Sequence, residues 1–102
     1  VASLGNDHKD IKALCQVILL LETDNEVLNF FKDLCTPTEL SALAERWQIC
    51  KALNEGLSYR EINTRIGASL TTIGRVARFL KDEPYQGYNK LLEKINQQNK
   101  ES

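Results

Sequence analysis

This sequence predicts an all-helical protein, and three observations carry that expectation. Proline and glycine, which punctuate strands and turns, number only two and five in 102 residues. No alternation of apolar and polar residues continues beyond four positions, so no half-buried strand can be drawn. Apolar residues recur instead three and four apart, the spacing that gathers them on one side of a helix.

From Asp10 to Leu21, Ile11, Leu14, Ile18 and Leu21 keep helical spacing, while Val17, Leu19 and Leu20 make that helix apolar nearly all round. One neighbour in so small a protein cannot cover such a surface. Glu22 to Asn25 reads as a turn, and Val27, Leu28, Phe30, Phe31 and Leu34 predict a second amphipathic helix that stops near Cys35. Thr36-Pro37-Thr38-Glu39 is a strong start signal: Thr36 can cap, Pro37 takes the first helical position, where its missing N–H costs nothing, and Glu39 completes a capping box. The third helix therefore begins at Pro37, turns Leu40, Leu43, Ala44, Trp47, Cys50 and Leu53 inward, and ends where Gly56 supplies a left-handed position.

Two short helices follow. Ser58-Tyr59-Arg60-Glu61 is another capping box, Ile62 and Ile66 form an i, i+4 apolar pair, and Gly67 closes the helix after little more than two turns. Ser69 can cap the next helix, in which Ile73, Val76 and Leu80 point inward and Leu70, Thr71, Thr72, Gly74, Arg75 and Arg78 lie nearer the outside. A tight Gly-containing turn between two short helices is the helix-turn-helix arrangement, whose second helix enters the DNA major groove. Thr71 and Thr72 offer hydroxyls and methyl groups to base edges, Gly74 permits close approach, and Arg75 can reach guanine or phosphate. Tyr59, Arg60, Asn63, Arg78 and Lys81 complete the candidate DNA-binding set. Asn63 takes a position usually held by a small residue, which predicts a more open angle between the helices or an outward-turned side chain.

Charge supports this placement. The formal net charge is −1, yet between Ser58 and Lys81 five basic residues face the single Glu61, a local +4 within 24 residues. The chain is long enough for one small core and too short for two. Its longest apolar run, Val17 to Leu21, is far below the roughly 20 residues of a membrane span, and no secretory leader is visible. Val1 opens the chain without an initiator methionine, so the first residues carry little weight. Three cysteines without C-x-x-C spacing and one histidine, His8, argue for a reducing, cytoplasmic setting and against structural zinc. One terminal histidine and no phosphate-binding loop leave nothing from which to assemble an enzyme. The remaining rival to DNA binding is a helical protein-interaction module whose basic hairpin meets an acidic partner.

Leu34-Cys35-Thr36-Pro37-x-Glu39, Ala42-Leu43-x-x-Arg46, Ser58-x-Arg60-Glu61 and Gly67-Ala68-x-x-x-Thr72-Ile73-x-Arg75 together resemble the Trp repressor superfamily. The smaller YerC/YecD branch is the nearer likeness, through Ile73-Gly74-Arg75-Val76. The resemblance covers about residues 14–95. It implies a six-helix protomer, all-α, whose N-terminal helices intertwine with a twin in a symmetric homodimer carrying helix-turn-helix units at both ends. The Trp repressor is itself a type example of that docking. Residues 1–102 are then one domain: dimerisation helices over about 8–35, a core helix and helix-turn-helix over 36–81, and a C-terminal helix over 84–98.

In the repressor, two arginines hold bound tryptophan between the core and the reading head. The resemblance places them at Arg46 and Arg75, with Cys35 and Thr36 at the neighbouring wall. Val76 and Phe79 stand where the repressor has glycine and serine, and are expected to fill the indole site. Phe79 would bridge to Trp47 and Leu43, and Arg46 would pair with an internal acid or a helix C-terminus. The expectation is a transcriptional regulator, a repressor of operator DNA, that works without tryptophan, metal or cofactor. A tryptophan-dependent aporepressor is the alternative.

Overall fold

The computed structural model describes residues 7–101 and holds six helices: α1 (Asp7–Ile18), α2 (Asp24–Leu34), α3 (Pro37–Asn54), α4 (Tyr59–Ile66), α5 (Leu70–Lys81) and α6 (Gly87–Glu101). The first positions of the chain, including Val1, lie outside the described residues. Two compact units divide the chain, one ending at Leu40 and one beginning at Ser41. Among the described residues, no helix is long and apolar enough to cross a membrane.

In the first unit, α1 starts three residues earlier than expected, placing His8 within it, and stops at Ile18 instead of running to Leu21. Two short-range bonds, Leu20 N–H to Val17 carbonyl at 3.0 Å and Leu21 N–H to Ile18 carbonyl at 3.1 Å, tighten its last turn and end it. The expected turn at Glu22 to Asn25 is shorter, because Thr23 caps α2 by accepting the Glu26 N–H at 3.1 Å. Glu26 reaches back to the Glu22 N–H at 3.0 Å. This Thr-x-x-Glu start signal is present in the sequence but obscured by the apolar run beside it. Among the described side chains neither helix buries one: Ile11 is 60% exposed and Val17 is exposed as well, and just beyond α1 Leu19 and Leu20 are open too, Leu20 to 76%. The capping box before α3 forms as expected, with Thr36 and Glu39 exchanging bonds of 2.8 and 3.1 Å.

The second unit holds the core. Ile49, Cys50 and Ala52 of α3 pack with Ile62 of α4, Ala68 of the turn, and Ile73, Val76 and Leu80 of α5. Trp47, Leu53, Leu57, Ile66, Tyr88 and Leu92 cover this cluster from outside. The apolar stripe expected on α3 is therefore rotated. Ile49, which the stripe omits, is fully buried, whereas Leu43 and Ala44 are exposed. Helix α3 carries apolar residues on more than one side, and only its neighbours decide which side is core. Burial raises the pKa of the Cys50 thiol, as expected for a small apolar filler.

Helix ends fix the geometry. Gly56, at φ +92°, closes α3: its N–H meets the Leu53 carbonyl at 3.0 Å and the Leu57 N–H meets that of Ala52 at 3.1 Å. This crossed pair satisfies carbonyls that the helix leaves free and turns Leu57 back toward the core. Helix α6 begins at Gly87, three residues after the expected start. Pro84 lies in the preceding connection, where Gln86 adopts φ +58° and accepts the Lys90 N–H at 3.1 Å.

Candidate nucleic-acid interface

Helices α4 and α5 are held at a fixed angle by four local devices. Ser58 and Glu61 form a reciprocal capping box with bonds of 3.0 and 3.2 Å. Gly67, at φ +83°, closes α4 with its N–H on the Asn63 carbonyl at 3.0 Å. The Asn63 side-chain amide donates to the Ala68 carbonyl at 2.7 Å, so this residue bridges α4 to the turn. Ser69 caps α5, its hydroxyl accepting the Thr72 N–H at 3.1 Å and lying 3.0 Å from the Thr72 hydroxyl. Beneath these bonds Ile62, Ala68 and Ile73 are buried and lock the pair together.

The position of Asn63 is explained by that bridge. Its side chain is turned along the motif, tying the turn with one amide hydrogen bond where a small residue would leave the carbonyl to solvent. The Ser58 backbone N–H, then its hydroxyl, and Arg65 at longer range, hold Glu61 below the usual carboxylate range.

The outer surface carries most of the residues that the sequence singles out. Leu70 is 58% exposed, Tyr59 is also exposed, and Thr71, Arg75, Arg78 and Lys81 lie open on α5 with Arg60 open on α4. Thr72 and Gly74 are half-buried, and the Thr72 hydroxyl is engaged by Ser69. Among the described residues, Arg60, Arg75 and Lys81 have no ion-pair partner, while Arg78 meets Glu83 at 3.5 Å. That pair is solvent-screened and contributes little stability. The result is a helix N-terminus lined with small polar groups and flanked by uncompensated positive charge.

The filled pocket expected at Val76 and Phe79 is not what forms. Val76 turns into the core, 1% exposed, and becomes the floor of an open groove of about 450 Å³. The Phe79 ring stacks near-parallel on Tyr85 with centroids 6.4 Å apart, and so forms one wall. Leu43, Trp47, Tyr88 and Leu91 supply other apolar surfaces, and Arg46 and Arg75 both reach the groove. Phe79 thus shares a groove with Trp47 and Leu43 without closing it. Arg46 is half-buried there and, among the described residues, meets neither an acid nor a helix C-terminal carbonyl, contrary to expectation. Cys35 and Thr36 belong to the first unit, where Cys35 ends α2 and Thr36 is occupied in the α3 capping box.

Two short capped helices, a left-handed glycine between them and an exposed basic second helix define a helix-turn-helix domain of the DNA-binding class. Comparison with known proteins specifies it further. A family profile described as Trp repressor protein matches residues 9–96, and the chain belongs to that family, whose members are DNA-binding, dimeric regulators. The uncharacterized protein YerC of Bacillus subtilis (strain 168) is 37% identical over 94 residues, spanning 92% of this chain and 89% of that one. The crystal structure of a TrpR-like protein from Eubacterium eligens ATCC 27750 superposes with a TM-score of 0.82 at 33% identity, covering 92% of this chain and 96% of its own.

Proposed function

We propose that this protein is a sequence-specific transcriptional repressor that reads a pseudo-palindromic operator as a homodimer, and that it does so without tryptophan. The observation that carries DNA reading is the exposed first turn of α5, with Leu70, Thr71 and Arg75 set outward by the Ser69 cap and the buried Ile73. Independence of tryptophan is supported by Val76 and the Phe79 ring, which both line the groove beside Arg75 and take up space in it. Thr71 and Arg75 contact base edges, the methyl group of Thr72 meets thymine, and Gly74 admits close approach of the duplex. Arg60, Tyr59, Arg78 and Lys81 meet phosphates, and Asn63 acts from within the turn. The apolar faces of α1 and α2 are the surface through which two copies join, because nothing within the described first unit buries them. Joined in this way, two reading heads would face major grooves one turn apart, roughly 34 Å.

A second reading is favoured by the groove between Arg46 and Arg75: a small carboxylate-bearing aromatic molecule enters it and couples to DNA binding. The two readings separate in one experiment. A duplex selected from a random pool by the protein is titrated with and without millimolar L-tryptophan, using the unaltered chain and the variants Arg75→Ala, Thr72→Ala and Lys81→Ala. On the first reading tryptophan changes nothing, Arg75→Ala and Thr72→Ala lose discrimination against random DNA, and Lys81→Ala weakens all duplexes alike and flattens the salt slope. Tighter binding with tryptophan establishes the second. Equal loss on selected and random DNA for every variant refutes base reading by α5.

A further inference from the structure

The two exposed arginines of α5 converge on one aromatic ring, and this juxtaposition carries an inference that rests on the DNA-binding reading above. Phe79 stands one turn after Arg75 and directly after Arg78. The guanidinium carbon of Arg75 lies 4.4 Å from the ring centroid and that of Arg78 lies 5.1 Å from it. Both distances are within the range in which a cation is attracted to the negative face of a ring. Tyr85 joins the assembly, its ring inclined only 10° to that of Phe79. The connection that presents Tyr85 is itself clasped: the Gln86 amide donates to the Glu83 carbonyl at 2.7 Å, and the Asn89 amide to the Leu80 carbonyl at 2.8 Å. Glu83, in the same connection, holds the Arg78 Nε side at 3.5 Å.

We propose that Phe79, with Tyr85 stacked on it, is a positioning residue: a cation–π shelf that orders both Arg75 and Arg78 on α5 before DNA arrives. Two physical features make the shelf compatible with binding. A guanidinium over a ring uses its face and keeps its N–H donors, which point edgewise, free for a guanine edge or a phosphate. A ring also leaves the positive charge intact, whereas a second carboxylate would cancel it. Ordering the arginines in advance removes part of the side-chain entropy otherwise lost on association.

The test replaces Phe79 in the full chain with 3,4,5-trifluorophenylalanine, which nearly keeps the ring's shape but removes most of its negative face, alongside Phe79→Leu and Phe79→Tyr. Two quantities are read: affinity for the selected duplex, and nuclear spin relaxation of the Arg75 and Arg78 Nε–H groups in the free protein. Trifluorophenylalanine and Phe79→Leu are expected to lower affinity about three- to tenfold and to loosen both arginines, and Phe79→Tyr to keep both properties. The fluorinated protein should melt with the unaltered one, which separates positioning from folding. Unchanged or increased affinity in the first two variants, or arginines equally ordered in all, overturns the shelf while leaving DNA binding intact. Failure of the underlying reading looks different: the unaltered protein then selects no duplex, and the proposed role falls with it.

Discussion

Gly67 and Gly74 lie seven residues apart and answer the same substitution with opposite sign. At both positions an added methyl group would meet nothing within 4 Å, so neither change creates a clash. At Gly67 the backbone has φ +83°, where an L-residue pays about 1–2 kcal/mol for its Cβ. Gly→Ala also reduces the freedom of the unfolded chain, which offsets about 0.4–1 kcal/mol, so Gly67→Ala should cost roughly 1 kcal/mol net. Gly74 lies inside α5, where alanine improves helix propensity by up to about 1 kcal/mol with no conformational penalty. For a domain of this size 1 kcal/mol moves the melting temperature by about 4–8 °C. Thermal unfolding at matched protein concentration should therefore place Gly67→Ala below the unaltered chain and Gly74→Ala above it. Duplex titration should run against stability for Gly74→Ala, which folds more firmly yet binds DNA less tightly, because its methyl group occupies the surface where the duplex approaches. If Gly67→Ala is as stable as Gly74→Ala, the left-handed cap is not what ends α4, and the geometry of the reading head rests on something else.

Three further outcomes follow from the same geometry. Asn63→Ala removes the 2.7 Å bond to Ala68 and should cost about 0.5–1.5 kcal/mol in urea unfolding, and Asn63→Asp, which cannot donate there, should cost more. Glu61 is held below its ordinary pKa of 4.5, so the stability it confers is full above that value and is lost as pH falls through its lowered pKa. Acid unfolding of Glu61→Gln should lose this component of the pH dependence, and an unaltered acid limb would show that the capping box does not titrate. Because Leu20 is 76% exposed, equilibrium sedimentation at micromolar concentration should give a dimer for the unaltered chain and dissociation for Leu20→Glu, with a folded monomer of the unaltered chain refuting the dimer.

Local chemistry, independent of any tertiary contact, determines much of this protein. Thr36, Ser58 and Ser69 cap through short-range bonds, Gly56 and Gly67 adopt the left-handed backbone, and those five positions place both ends of α3 and α4 and the start of α5. The inward spacing of Ile73, Val76 and Leu80 and the outward basic residues of α5 were legible for the same reason: both depend only on helical period. Choices among equivalent surfaces were not legible. Helix α3 has apolar residues on several sides, and its packing against α4 and α5 buries Ile49 while leaving Leu43 exposed. The Asn63 side chain needed the Ala68 carbonyl five residues ahead, which only the folded turn brings within reach. Phe79 reads from the sequence as a space-filling ring. The folded connection after α5 instead brings Tyr85 alongside and leaves a groove lined by both arginines. Periodicity and caps act within about four residues, so sequence suffices for them; where a ring finally rests depends on partners beyond that reach, from Tyr85 six residues on to Leu43 and Trp47 of another helix, and only the tertiary structure supplies those.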